Sequence, residues 1–208
     1  MRFGIFIYND VEPIDLATYG VLSMARRVVP EIEICTIAPE KGLVRLSNGL
    51  RVMADYGLTD APACDVLVVT GGSGWEAQAN NPDTLAFLRS RSHQSRLASV
   101  CTGAMILAAA GVLDGKKATT KREVVAPEAS PVDVMRQRFP KIDVTTASVV
   151  DCGSITTGGG VTLCIDAMLH IIGREFGSSA AAETARIIEY SRAREANRAA
   201  LPLVTDAQ

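Results

Sequence analysis

Three short apolar runs, each closed by small or polar residues and followed by a helical pattern, constrain the fold of this chain more than any other feature. The runs are Phe3 to Tyr8, Val66 to Thr70 and Leu97 to Val100. The helical patterns after them span Pro13 to about Arg26, Pro82 to about His93 and Ala104 to Ala110. Continuous apolar runs of strand length indicate strands that are buried on both faces. Their alternation with helices predicts an α/β protein with a mostly parallel sheet covered by helices.

The other segments continue this pattern along the chain. A second strand is predicted around Ile32 to Ile37, and Asn48-Gly49 predicts a hairpin because both residue types tolerate positive φ. Further predicted elements are a hairpin from Val144 to Thr157 and helices at Val132 to Phe139, Val161 to Phe176 and Ala180 to Arg194. We expect one domain over residues 1–208, with a frayed tail from about Ala199 to Gln208.

Composition and charge exclude several classes of protein. Hydrophobic residues make up 48% of the 208 residues and the formal net charge is −2, which argues against a disordered chain. The lack of a basic excess argues against nucleic acid as a partner. No run reaches the roughly 18 apolar residues of a spanning helix, and the N-terminus lacks a cleavage site, so we expect neither membrane insertion nor secretion. The five cysteines have no CxxC spacing, which disfavours a disulfide framework or a zinc site and indicates a reducing cytoplasm.

Cys101 is the leading candidate for a reactive residue. It lies between a predicted buried strand and a helix, the placement of a nucleophile elbow, at the strand end where ligands of such sheets bind. The positive end of the helix predicts a lowered pKa for the thiol and therefore a reactive thiolate. The alternative is a small buried apolar residue at a tight turn. The other cysteines, Cys35, Cys64, Cys152 and Cys164, are interpreted as structural.

Asp15 is the second candidate, because it follows the first predicted strand in the opening turn of the first helix. A carboxylate there compensates the helix dipole, which is the simpler interpretation, and Glu12 has the same ambiguity. If the strands before Asp15 and Cys101 lie close together, this carboxylate can instead exchange protons at the thiol.

Two glycine clusters follow predicted strands. Gly71-Gly72-Ser73-Gly74 allows backbone N–H groups to approach a reacting oxygen, although a plain loop explains it equally well. It fits neither the dinucleotide-binding fingerprint nor the P-loop. Gly158-Gly159-Gly160 precedes the longest helix, where close packing is a simpler explanation than an anion site. Trp75 either lines a pocket or anchors the core.

The two histidines are weak candidates for catalysis. His170 lies in an apolar helix, where a histidine with a satisfied hydrogen bond is the simpler interpretation, and His93 lies among polar residues that predict solvent exposure.

Taken together, these segments resemble the DJ-1/PfpI (ThiJ) superfamily over about Arg2 to Tyr190. The motifs that carry the resemblance are Pro13-Ile14-Asp15, Val68-Val69-Thr70-Gly71-Gly72, Ser99-Val100-Cys101-Thr102-Gly103-Ala104, Gly111-Val112-Leu113-Asp114-Gly115, Ala118-Thr119-Thr120 and Thr157-Gly158-Gly159-Gly160-Val161-Thr162. The resemblance implies a flavodoxin-like three-layer α/β sandwich with a cysteine nucleophile elbow, and a homodimer. Cys-Thr-Gly at the elbow, with an aspartate after the first strand, is similar to the isocyanide hydratase branch.

That branch implies a cofactor-independent enzyme without a metal, which acts on a small molecule. Cys101 would be the nucleophile and Asp15 its carboxyl partner, with the backbone N–H groups of Gly72 and Thr102 as an oxyanion pocket. The isocyanide would become an N-substituted formamide through a covalent thioimidate on Cys101, which requires a raised pKa for Asp15. The expected substrate-binding residues are Gly71, Ser73, Trp75, Thr120, Lys121, Thr157 and Gly158. Relatives often carry a histidine after Ala-Thr-Thr, where this chain has Lys121 and Arg122.

Two alternatives remain. The first is glyoxalase III-like hydration of 2-oxoaldehydes on the same cysteine, which usually requires a glutamate and a histidine near the thiol. The second is a non-enzymatic regulator in which Cys101 is oxidised or lines a ligand pocket. A related branch forms the sensor domains of AraC-like transcription regulators, and we expect no room for their DNA-binding helices in this chain.

Overall fold

The computed structural model describes residues 1–205 as eleven strands and eight α-helices. The strands are β1 (Arg2–Phe6), β2 (Glu33–Ile37), β3 (Gly42–Arg45), β4 (Arg51–Ala54), β5 (Val66–Val69), β6 (Arg96–Ser99), β7 (Lys117–Ala118), β8 (Asp143–Val144), β9 (Val149–Asp151), β10 (Ile155–Gly158) and β11 (Leu203–Thr205). The helices are α1 (Ala17–Ala25), α2 (Trp75–Ala79), α3 (Pro82–Arg91), α4 (Gly103–Ala109), α5 (Pro131–Arg138), α6 (Leu163–Phe176), α7 (Ser178–Ile187) and α8 (Ser191–Ala200). Short 3-10 turns span Pro13–Leu16 and Ser47–Gly49.

Seven of the strands form the central sheet, in the order β11-β9-β10-β6-β5-β1-β2. All neighbours in it are parallel except β9 and β10, which form an antiparallel hairpin. Helices α1, α6 and α7 contact one another in one layer, and α2, α3 and α4 contact one another in the other. The predicted three-layer α/β sandwich is therefore confirmed.

The strands at the centre of this sheet form the middle of the core, together with the buried faces of α4 and α6. Residues Phe3, Ile5 and Phe6 of β1 and all of Val66–Val69 of β5 are buried, because both faces of these strands are covered by helices. The predicted hairpin at Asn48-Gly49 is present between β3 and β4, with positive φ at both residues. Among residues 1–205, no helix is long and apolar enough to span a membrane.

The C-terminal part differs from the prediction in two respects. The helix expected from Ala180 to Arg194 is interrupted, because α7 ends at Ile187 and Glu189 adopts a left-handed φ of 55° before α8 begins. The tail expected to fray from Ala199 instead continues α8 to Ala200 and then adds β11 alongside β9, with the Ser148 N–H donating to the Pro202 carbonyl at 2.9 Å. Residues 206–208 of that predicted tail lie outside the described residues.

Candidate active site

The candidate site lies at the carboxyl edge of the sheet, where β1, β5 and β6 end side by side. Asp15 follows β1, the Gly71-Gly72 turn follows β5, and Cys101 follows β6. Because β5 lies between the other two strands, its glycine turn separates the carboxyl of Asp15 from the thiol of Cys101. A turn without side chains allows the two groups to lie close together, since a Cβ at Gly71 would lie 2.8 Å from the Cβ of Cys101.

Cys101 has the conformation of a nucleophile elbow. Its φ of 51° is left-handed, which is unfavourable for a residue other than glycine and is sustained by the surrounding structure. Its N–H donates to the Gly159 carbonyl at 3.1 Å, and its carbonyl accepts from the Thr120 hydroxyl at 2.8 Å. Behind it, Gly103 is required by close packing, because a Cβ there would lie 2.1 Å from the Val69 carbonyl oxygen. The thiol is held at the sheet edge with its side chain almost fully buried.

The carboxyl of Asp15 is completely buried, and its two oxygens have different surroundings. Oδ2 accepts a hydrogen bond of 2.6 Å from the Gly71 N–H, whereas Oδ1 is buried with no hydrogen-bond partner among residues 1–205. Burial raises the pKa of Asp15 from its ordinary 3.8 to about 8, although the Gly71 hydrogen bond opposes this. The predicted rise in the pKa of Asp15 is confirmed, and the carboxyl is largely protonated at neutral pH.

The pKa of the Cys101 thiol moves in the direction opposite to the prediction. Burial and the negative charge of ionised Asp15 raise it to about 12, although the backbone and hydroxyl of Thr102 and the charge of Lys121 lower it. The prediction of a lowered pKa from the helix end was therefore wrong. Helix α4 has only seven residues, and its field does not offset the removal of the thiol from water.

Thr102 connects the elbow to the glycine turn. The Gly72 N–H donates to the Thr102 hydroxyl at 2.9 Å, and that hydroxyl is also 3.2 Å from the Gly72 carbonyl oxygen. The glycine is required at position 72, because its φ is 151° and a Cβ would lie 2.2 Å from the Asp10 carbonyl oxygen. The backbone N–H of Thr102 lies close enough to the Cys101 sulfur to lower its pKa, whereas the N–H of Gly72 already donates to the Thr102 hydroxyl.

A cavity of about 410 Å³ opens above the thiol. Six residues singled out from the sequence as catalytic or binding line it: Gly72, Ser73, Trp75, Cys101, Thr102 and Lys121. Sequence reasoning weighed Glu12 only as an alternative to Asp15 and missed the rest of the wall, which is Val124, Glu128, Ala129, Pro131 and Val161. Most of these missed residues lie in the loop between β7 and α5, whose irregular sequence carries no periodic signal.

The remaining predicted binding residues lie behind this cavity wall and support it. The amide of Gly71 binds Asp15, and the hydroxyl of Thr120 binds the Cys101 carbonyl. The hydroxyl of Thr157 accepts from the Thr119 N–H at 2.9 Å. Gly158 allows α6 to approach, because a Cβ there would lie 2.9 Å from the Ala167 Cβ. The packing interpretation of the second glycine cluster is therefore favoured.

Tyr8 is a further residue near the site that sequence reasoning did not single out. Its hydroxyl is buried and donates to the Thr70 carbonyl at 3.0 Å. Burial, followed by the charges of ionised Asp15 and Cys101, raises its pKa well above the ordinary value, so it remains a phenol beside the site. In the sequence it is the last residue of an apolar run, which gave no signal other than burial.

The histidine in α6 belongs to a separate cluster near the start of β10. The ring of His170 lies 2.7 Å from a carboxylate oxygen of Asp151, which also binds Arg174 at 2.9 Å. The prediction of a histidine with a satisfied hydrogen bond is therefore confirmed. Within residues 1–205, no group of three or more His, Cys, Asp and Glu side chains is placed to hold a metal ion.

Comparison with known proteins gives a consistent set of relatives. The model of the DJ-1/PfpI family matches residues 1–174. The chain is 27% identical to a ThiJ/PfpI family protein from Pseudomonas syringae of known structure, with a TM-score of 0.79 over 91% of this chain and 75% of that one.

Two curated relatives differ in kind. The HTH-type transcriptional regulator GbdR of Pseudomonas aeruginosa is 34% identical over 161 residues, which cover 76% of this chain and 41% of the regulator. The chain therefore spans about two fifths of the length of that regulator. The isonitrile hydratase of Pseudomonas putida is 30% identical over 197 residues, which cover 93% of this chain and 80% of the enzyme.

Proposed function

The chain belongs to the DJ-1/PfpI family, and on that premise we propose that it is a cysteine-dependent hydratase that converts an isocyanide into an N-substituted formamide. One observation carries the proposal: the buried carboxyl of Asp15, with one oxygen unpartnered among residues 1–205, lies across the Gly71 turn from the elbow thiol. A carboxyl that stays protonated at neutral pH can donate a proton to carbon and then recover one from sulfur or water.

In the first half of the reaction the substrate becomes bound to the enzyme. The Cys101 sulfur attacks the terminal carbon of R–N≡C, and the acid proton of Asp15 is transferred to that same carbon. A C–S bond and a C–H bond form, and the triple bond becomes the C=N bond of a thioimidate. The thiol proton passes to Asp15, so the carboxyl ends this step protonated. The overall change is addition of the sulfur and the hydrogen of the thiol to the same carbon. Relay through Asp15 removes the need for a thiolate in the resting enzyme, which agrees with the raised pKa of Cys101.

In the second half the thioimidate is hydrolysed. Water attacks the same carbon, giving one proton to Asp15 while the Asp15 proton is transferred to the imine nitrogen. The resulting tetrahedral intermediate has sulfur, hydroxyl, hydrogen and nitrogen on one carbon. Its C–S bond breaks, the hydroxyl proton returns to sulfur through Asp15, and the formamide R–NH–CHO leaves. The reaction consumes one water, regenerates both protonated groups and requires no change of oxidation state.

Thr102 would stabilise the charge that develops at the reacting carbon and its substituents. Its backbone N–H lies close enough to the Cys101 sulfur to lower the pKa of the thiol, and its hydroxyl accepts from the Gly72 N–H. Because the Gly72 N–H donates to that hydroxyl, the predicted oxyanion role of Gly72 would act through the Thr102 hydroxyl. Ser73, Trp75 and Lys121 on the cavity wall would bind the substituent R.

The test is turnover of cyclohexyl isocyanide by the wild-type protein and by Cys101→Ser, followed by appearance of the formamide. Methylglyoxal is assayed in parallel, because the glyoxalase III-like alternative uses the same cysteine. Formamide formation that depends on Cys101 supports the proposal. Turnover of methylglyoxal alone, or formamide formed equally by Cys101→Ser, contradicts it. Thermal melts verify that both proteins are folded.

The similarity to the regulator favours a second candidate, ligand sensing by the same cavity. In that case a small molecule would bind beside Cys101 without conversion. Saturable binding of an isocyanide, seen as a raised melting temperature of both wild type and Cys101→Ser with no product, would favour this candidate.

A further inference from the structure

Two further cysteines lie away from the candidate active site, one on each side of β1. Cys35 lies in β2, and Cys64 lies two residues before the start of β5. Because β1 is the strand between β2 and β5 in the sheet, it runs between the two cysteines. The two thiols lie close enough for each to shift the pKa of the other, and the Cys64 S–H donates to the Pro62 carbonyl at 3.6 Å. They reach across β1 at Gly4, which pairs with Cys35 and has no side chain, since a Cβ there would lie 2.9 Å from the Cys64 sulfur. Glycine at this position therefore keeps the gap between the two sulfurs open.

Two arginines are bound to the backbone directly before Cys64. The guanidinium of Arg91 donates to the Ala61 carbonyl at 2.6 Å and to the Pro62 carbonyl at 2.9 Å. Arg2 donates from its backbone to Asp65 at 2.6 Å, and its guanidinium is 3.5 Å from the Ala63 carbonyl. The hydrogen bond from Cys35 and the charges of Arg91 and Arg2 lower the pKa of Cys64, while burial opposes this. Cys35 holds its proton more tightly, chiefly because of the hydrogen bond to Cys64.

These surroundings assign different roles to the two sulfurs. A sulfur whose pKa is lowered by nearby positive charge is the one that reacts as a thiolate, and here this is Cys64 beside Arg91 and Arg2. Its partner, already in contact and still protonated, can then supply the second sulfur of a disulfide. Both residues are largely buried, with exposed fractions of 7% for Cys35 and 5% for Cys64, so only a small oxidant would be able to reach them.

We propose that Cys35 and Cys64 are an oxidant-sensitive dithiol that forms an intramolecular disulfide with hydroperoxides, independently of Cys101. The Cys64 thiolate attacks one peroxide oxygen, the O–O bond breaks, and the second oxygen leaves as water after taking a proton. Cys64 is then a sulfenic acid. The Cys35 sulfur attacks the Cys64 sulfur, the S–O bond breaks, and the hydroxyl leaves as water with the Cys35 proton. Two electrons pass from the two sulfurs to the peroxide, which is reduced to two water molecules in the case of hydrogen peroxide.

The test is carried out in a Cys101→Ser background, so that the elbow thiol cannot contribute. The folded protein is treated with hydrogen peroxide, blocked with iodoacetamide and digested without reduction. We expect a cross-linked peptide that contains Cys35 and Cys64, about 2 Da lighter than the two reduced peptides together, and its loss after dithiothreitol. Cys152→Ser, a change at a cysteine outside the pair, should leave the cross-link at an unchanged yield.

Several outcomes would overturn the proposal. One is separate oxidation of Cys35 and Cys64 to sulfinic acids with no cross-link. Another is a cross-link that forms only after unfolding in urea. The order of attack is tested by dimedone, which traps sulfenic acids. In Cys35→Ser it should label Cys64 at least about tenfold more than it labels Cys35 in Cys64→Ser. Equal labelling would refute the assignment of Cys64 as the attacking thiol. The cross-link test keeps both Cys35 and Cys64, so its result does not depend on how well Cys35→Ser or Cys64→Ser folds.

Discussion

Asp15→Asn is expected to stabilise the folded protein above neutral pH and at the same time to lower turnover strongly. Burial raises the pKa of Asp15 from 3.8 to about 8, so the folded protein keeps a proton that the unfolded chain has lost. The free energy of unfolding of the wild type therefore falls as pH rises from about 4 to about 8 and is level above that range. Asn carries no ionisable proton, so the free energy of unfolding of the variant does not fall over this pH range.

The size of the effect follows from the pKa difference. At about 1.36 kcal/mol for each pKa unit, the gap between 3.8 and about 8 amounts to at most about 6 kcal/mol at high pH and about 4 kcal/mol at pH 7. Relaxation around the charge reduces such values, and we expect a measured advantage of about 2–4 kcal/mol for Asp15→Asn at pH 8.5. We expect the substitution to break no existing hydrogen bond, because the amide oxygen of Asn can still accept from the Gly71 N–H. The amide nitrogen takes the place of Oδ1, which has no hydrogen-bond partner among residues 1–205.

The assay is urea unfolding of wild type and Asp15→Asn at several pH values between 5 and 9, with turnover of cyclohexyl isocyanide measured on the same preparations. Turnover should fall by about 10²–10⁴-fold, the usual contribution of a general acid–base group. Asp83→Asn is the matched control, because Asp83 is an exposed carboxylate in the first turn of α3. It should change stability by less than about 1 kcal/mol, with no trend above pH 6.

Two results would refute this reasoning. Stability curves of wild type and Asp15→Asn that stay parallel from pH 5 to pH 9 would mean that the pKa of Asp15 is not raised. Unchanged turnover in a folded Asp15→Asn protein would remove Asp15 from the mechanism, and Glu12 on the cavity wall would be the next carboxylate to test.

Three further predictions concern other parts of the protein. The rate of alkylation of Cys101 by iodoacetamide, followed by peptide mass spectrometry, should still be rising above pH 9 because its pKa is raised, and a plateau below pH 7 would contradict this. We expect a homodimer through the β3–β4 hairpin, whose apolar side chains Leu43 and Met53 are 61% and 65% exposed beside the exposed Arg45 and Arg51. Light scattering should give twice the chain mass of 22.1 kDa, and Met53→Glu should reduce the measured mass. A wild-type monomer at micromolar concentration would refute the interface. Burial opposes ionisation of Asp151, but hydrogen bonds from His170 and Gly153 and the charge of Arg174 lower its pKa to about 2. The free energy of unfolding of the wild type should therefore fall by about 2 kcal/mol between pH 5 and pH 2, and Asp151→Asn should remove that fall in acid unfolding curves. An unaltered slope would be inconsistent with the ion cluster.

Features that depend on neighbouring residues could be predicted from the sequence. The apolar runs before Asp15, Gly71 and Cys101 become adjacent strands, and the strand–turn–helix pattern around Cys101 becomes an elbow with a left-handed φ. The end of the chain could not be predicted in this way. Leu203–Thr205 is too short to be identified as a strand alone, and it is ordered by hydrogen bonds to β9, about fifty residues earlier.

The sequence by itself determined the strand–helix alternation, the position of the elbow and the membership of the family, because each depends on local periodicity and on motifs read along the chain. The tertiary structure alone decided the chemistry of the site. It brought Asp15 to within a hydrogen bond of Gly71 and surrounded Cys101 with buried groups, which reversed the direction predicted for the thiol pKa. It also placed Cys35 and Cys64 on either side of Gly4. The physical reason is that a pKa depends on how far a group is removed from water and which charges then face it, and both are set by chain segments far apart in sequence.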